Sequence, residues 1–128
     1  MLEEGIVSLL LADSVLPGLL NACVYPAILP EAPSLPALTY QLISGSSGYT
    51  TDGVTCTVRR IQFDSWSTLY SDVKTVQYAL HNVLDLFSGT LSEGTQVLGS
   101  YRGIEMDTYE SDARMYRATT EYLFHFVE

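Results

Sequence analysis

The chain has 128 residues, 47% apolar and 16% charged, with six basic side chains, fifteen acidic ones and a net charge of −9. That length suits one domain with one core, and the composition excludes a disordered chain. Six cations exclude nucleic-acid binding as the primary role, because a phosphate-binding surface needs clustered Lys and Arg.

No apolar run approaches the length of a membrane span. Leu9-Leu10-Leu11-Ala12 is short, and Glu3 and Glu4 stand where a signal peptide carries positive charge. The protein is therefore expected in the cytosol where it is made. Cys23 and Cys56 then read as reduced, small, buried hydrophobes rather than as a disulfide. Nine tyrosines partly fill the place of the missing charges, and tyrosine favours interfaces. An assembled protein is expected rather than a lone monomer.

In chain order, Leu2, Ile6, Leu9 and Leu10 share one face of a first helix over residues 2–12. Asp13-Ser14 breaks it, and residues 15–20 add a short turn. Val24-Tyr25-Pro26 reads as a brief edge strand, and Pro30, Pro33 and Pro36 punctuate an extended loop. Leu38, Tyr40 and Leu42 alternate with polar residues up to about Ser44. Residues 45–53 are small, polar and turn-rich, and read as a mobile hairpin loop.

A strand resumes at Val54. Its apolar residues are first Val54, Cys56 and Val58, then Ile61, Phe63 and Ser65. The phase flips at Arg59-Arg60, which calls for a bulge or sharp twist there, or for a first half that turns its other face to a neighbouring subunit. The pattern then switches from period two to helical steps. Leu69, Val73, Val76, Leu80, Val83, Leu84 and Phe87 form one stripe on a helix over residues 68–87. Ser67 is placed as its cap and Asp72 at the positive end of its dipole, with Ser88-Gly89 closing it. Residues 90–95 form a loop, residues 96–106 a weaker strand, and residues 107–112 an acidic turn. Tyr116, Ala118, Thr120, Tyr122, Phe124 and Phe126 alternate along a clear last strand.

Catalytic patterns are absent: there is no nucleophile elbow, no phosphate-loop lysine and no His pair at metal spacing. Ser44-Gly45-Ser46-Ser47-Gly48 has no helix after it to hold a phosphate. His81 is expected on the polar side of its helix and His125 on the polar side of the last strand, both at the surface and without an orienting partner. Glu105, Asp107, Glu110 and Asp112 lack calcium-loop spacing and read as a solvated turn. Arg59 and Arg60 are expected to pair with carboxylates. Trp66, opposite the buried face of its strand, is either part of a second small core beneath the first helix or an interface anchor. The candidate contact residues are Tyr49, Thr50, Asp52, Arg59, Arg60, Asp64 and Trp66; no catalytic residue, metal or cofactor is expected.

In order and spacing, the chain resembles the tail terminator and tail completion proteins of long-tailed phages and prophages over nearly its whole length. The resemblance rests on Val24-Tyr25-Pro26, Leu35-Pro36-Ala37-Leu38-Thr39-Tyr40, Asp52-Gly53, Arg60-Ile61-Gln62-Phe63-Asp64-Ser65-Trp66, Asp107-Thr108-Tyr109-Glu110-Ser111-Asp112 and Tyr116-Arg117. It implies an α+β fold: a single, mostly antiparallel β-sheet with a long amphipathic helix packed on it and a shorter N-terminal helix. It also implies a homo-oligomeric ring, usually hexameric, at the head-proximal end of the tail tube. Such a ring stops tail polymerisation and joins the head, with the major tail tube protein and a head-completion or neck protein as partners. DNA passes through it without specific binding, and no membrane is involved. The alternatives are another neck or head-closure adaptor, or a non-viral protein-binding module, with an enzyme third.

Overall fold

Alternation along β3 (Gly53–Ser67) and β6 (Met115–Val127) builds the centre of the molecule. The two strands pair antiparallel without a register shift from Thr57↔Phe126 to Ser67↔Tyr116. Ile61, Phe63, Tyr122, Phe124 and Phe126 thereby share one face, and all five are buried. The computed structural model describes residues 1–20, 23–31, 34–50 and 53–127, with the backbone alone for residues 49–50 and 53–55.

The described strands form one six-stranded sheet in the order β1-β2-β3-β6-β5-β4, with β1 (Val24–Pro26), β2 (Ala37–Thr50), β4 (Gly89–Thr90) and β5 (Gln96–Glu110) around the central pair. β1 runs parallel to β2 and every other pair is antiparallel. The fold is α+β, and the sheet is mixed.

Three helices, α1 (Leu2–Ala12), α2 (Leu16–Leu20) and α3 (Tyr70–Leu84), supply the other side of the core. Leu2, Ile6 and Leu10, then Leu16 and Leu20, then Val76, Leu80 and Leu84 join the buried strand residues in a single cluster. All three helices therefore lie on one face of the sheet. Phe63 sits edge-on to Tyr122 (6.0 Å between ring centroids) and to Phe124 (6.4 Å). Burying each such ring contributes about 1.5–3 kcal/mol.

Several expectations are corrected. The main helix spans 15 residues rather than the 20 expected. Asp85 is already extended and Leu86 has φ 54°, so the chain leaves the helix before Phe87 and Ser88-Gly89 cannot close it. Ser67 ends β3 instead of capping the helix; its hydroxyl accepts from the Leu69 N–H at 3.4 Å and donates to Asp72 at 3.3 Å. The buried face of α3 is not a pure apolar stripe, since it includes Gln77 and His81.

The small, polar stretch expected as a loop continues the ladder instead. β2 and β3 remain paired out to Thr50↔Gly53, and residues 51–52 lie outside those described. Likewise residues 107–110 belong to β5, and the turn is at residues 111–114. No bulge falls in β3 at Arg59-Arg60. The extra residue is Ile43 on the partner strand, so Val58 shares a face with Arg60, opposite the helices. Cys23 and Cys56 are not joined in a disulfide.

Candidate interaction surface

Among the described residues no helix lies on the other face of the sheet, although Thr39, Asp64 and Thr119 on it are at most 5% exposed. Cross-strand pairing sets its composition in rows. One row is Thr39, Asp64 and Thr119; the next is Gln41, Gln62 and Glu121; Trp66 stands beside Arg117. Asp64 is 5% exposed, and both its carboxylate oxygens are occupied. The Thr119 hydroxyl donates to one, and Gln62 Nε2 donates to the other at 2.9 Å. Trp66 Nε1 donates to Thr39 Oγ1 at 3.0 Å, and the Arg117 guanidinium lies over the indole, 5.4 Å from its centroid. Arg117 in turn pairs with Glu110 at 2.9 Å, and Arg60 faces Glu121 at 3.7 Å.

Each oxygen of the Asp64 carboxylate already accepts from a neighbouring side chain, and burial leaves little of the group open to a substrate. Each cation on the face has an anion of its own. A shallow hollow of about 340 Å³ lies beside it, lined by Arg60, Glu121, Tyr122, Leu123 and residues 101–104.

Of the candidate contact residues, the fold brings Arg60, Asp64 and Trp66 together on this face. Trp66 has no helix over it, so the second small core beneath the first helix does not exist. Arg59 points to the helix side. It lies over the Phe126 ring at 5.4 Å and pairs with Glu3 at 2.9 Å, tying α1 to the sheet. Tyr49 and Thr50 belong to the far end of β2, and Asp52 lies outside the described residues.

A second polar group was hidden from sequence reasoning. His81 is only 6% exposed, not a surface histidine. Its Nε2 lies 3.2 Å from Thr120 Oγ1 and 3.3 Å from Glu105, and its Nδ1 3.1 Å from Arg102. Burial pushes its pKa down, and the Arg102 charge pushes the same way. Tyr122 donates to Asp85, which also accepts from Arg102 at 2.8 Å. Burial, reinforced by Asp85, raises the Tyr122 phenol. Gln77 Nε2 donates to Thr120 at 2.9 Å. These groups satisfy one another along the α3–β6–β5 seam, and no local pattern signals them, because Thr120, which both Gln77 and His81 meet, lies far along the chain. Of the acidic side chains expected as a solvated turn, Glu105, Asp107 and Glu110 are paired: Asp107 accepts from Tyr70 at 2.7 Å and from Lys74 at 3.2 Å, while Asp112 is exposed in the turn. No group of ligands able to hold a metal occurs among the described residues.

Over residues 4–125 the chain matches the family model described as tail completion protein gp17. Its fold is similar to that of a chain in the virion of a native gene transfer agent particle. That match has a TM-score of 0.75 at 19% identity and covers 98% of this chain and 93% of the other. No curated protein matches the sequence significantly.

Proposed function

Because the chain belongs to the tail completion protein gp17 family, we propose that it caps the head-proximal end of a phage tail tube. The family makes it a structural tail component of a virion. In the finer reading, subunits close into a homo-oligomeric ring, hexameric as the resemblance implies. One side of the ring accepts the last layer of the major tail tube protein, and the other receives a head-completion or neck protein. Tail polymerisation stops because the second side does not template another layer.

The family match over nearly the whole chain carries this reading. The architecture supports it: one sheet face is covered by three helices and the other carries no helix among the described residues, so the subunit presents two unlike sides. A ring built from head-to-tail contacts keeps two unlike faces. The helix-free face has its charges paired internally, which suits a surface that meets protein. The ring assembles in the host cytoplasm, ends in the virion, and lets DNA pass without a specific grip.

The test is a phage or prophage with a stop codon in this gene. Capping gives tails of irregular, often excessive length together with tail-free heads. Tails of normal length that fail to join heads assign the protein to a neck or head-closure adaptor instead. Normal tails already attached to heads sink both readings.

A further inference from the structure

A strand with one covered face alternates buried and exposed residues. In β3, exposed Arg60 and half-buried Gln62 alternate with buried Ile61 and Phe63. Two other stretches do not. Residues 41–47 of β2 are all exposed, and so are residues 101–107 of β5. Their outer edges are also bare. β1 covers β2 only at Leu38, Thr39 and Tyr40. β4 covers β5 only at Gln96 and Val97, and the Leu86 N–H reaches the Ser100 carbonyl. Beyond these, no strand among the described residues runs along the outer side of either stretch.

Both stretches carry apolar side chains in the open: Leu42 and Ile43 on one, Tyr101, Ile104 and Met106 on the other, each between 43% and 59% exposed. A long apolar edge with unpaired backbone groups is a template for another strand. Each stretch also has a register shift, at Ile43 and between Arg102 and Glu105. A bulge ordinarily blunts an edge. Here each leaves an isoleucine exposed, which adds apolar surface to that edge.

We propose that these two segments pair with each other between copies of this chain, β5 of one subunit alongside β2 of the next, so that the sheet runs on around the assembly. The proposal rests on the ring reading above and names its subunit contact. Three observations favour a second copy as the occupant. The first is direction. β2, β3, β6 and β5 alternate in direction across the sheet, so a following β2 placed beside β5 is antiparallel to it and the alternation continues.

The second is charge. Residues 41–47 carry no charged side chain, whereas residues 101–107 carry Arg102, Glu105 and Asp107. Pairing β5 with β5 brings two acidic segments together, while pairing with β2 does not. The third is offset. Through the ladders, Gln41 lies level with the irregularity between Arg102 and Glu105. From that level most of the bare stretch of β2 runs towards the β2–β3 hairpin tip, whereas that of β5 straddles it, with residues 105–107 on the far side. A neighbour must therefore be displaced along the strands, and such a stagger is what a closed circle of tilted strands requires.

The experiment places cysteines in the full chain with Cys23→Ser and Cys56→Ser. Ser44→Cys or Ser46→Cys goes into one preparation, Ile104→Cys or Met106→Cys into another. Facing residues on neighbouring strands have Cα atoms about 4.5–5.5 Å apart, within disulfide reach. Native mass spectrometry follows assembly, alone and on purified tail tubes, before oxidation. The expected result is an oligomer in which mixed preparations cross-link and single preparations do not. Ile104→Lys, at an exposed position, should melt within a few degrees of the parent and fail to assemble. An oligomer without mixed cross-links, or with cross-links between like cysteines only, overturns the edge pairing and leaves the ring. A chain that stays monomeric at every concentration and on tube ends overturns both.

Discussion

Phe63 is held by two rings edge-on, Tyr122 and Phe124, and is 1% exposed. Phe63→Ala leaves a void that three packed elements cannot close, at a cost of about 3–5 kcal/mol. A thermal melt close to that of the parent would show that the ring is not core. His81 makes a different prediction. Its folded pKa lies below the ordinary value of 6.5, so the folded state keeps the ring neutral while the unfolded chain takes up a proton near that pH. The contribution is complete above the unfolded value and is lost as pH falls from there towards the folded one. The groups facing the ring are Thr120, Arg102, Glu105 and the Tyr78 and Tyr122 rings, with Asp85 nearby. The melting temperature should drop as the buffer goes from pH 7 to 5, and His81→Gln should flatten that slope. An unchanged slope in the variant would place the titrating group elsewhere.

At the level of elements, β3 pairs on both sides from Thr57 to Trp66, whereas among the described residues its outer part, residues 53–56, pairs with β2 alone. Backbone amides of the outer ribbon should exchange with deuterium much faster than those of residues 61–66, because one neighbouring strand holds it instead of two. Equal protection in a monomer would contradict this. The same ribbon shows where sequence reasoning stops. Alternation at Ile61, Phe63, Tyr122 and Phe124 is a local pattern, and it located the two central strands and the buried side of each. The glycines and serines of residues 44–48 carry a turn-like composition, yet the partner strand decides their state through Ser46↔Val58 and Ser47↔Thr57. Gln77 and His81 were legible only as polar helix residues, because their buried partner Thr120 is far along the chain. Arg60, Asp64 and Trp66 were readable as one face from period two alone. Leu42, Ile43 and Ile104 were not, since exposure of a hydrophobe depends on what the helices leave uncovered.

For the whole molecule, a net charge of −9 makes a surface that repels a polyanion at working salt. The free protein should give no gel shift with duplex DNA at physiological ionic strength; micromolar binding would contradict a channel through which DNA merely passes. The strand order has a kinetic consequence as well. The β2–β3 and β5–β6 hairpins each join neighbours along the chain, but the seam between them joins Thr57 to Phe126 and Ser67 to Tyr116. The entropy of closing that long loop is spent before the seam's contacts repay it. The barrier to self-organisation should therefore sit at the meeting of the two hairpins. In stopped-flow refolding, Phe63→Ala should slow folding by most of its effect on stability. Tyr109→Ala, out on one hairpin, should act mainly by speeding unfolding.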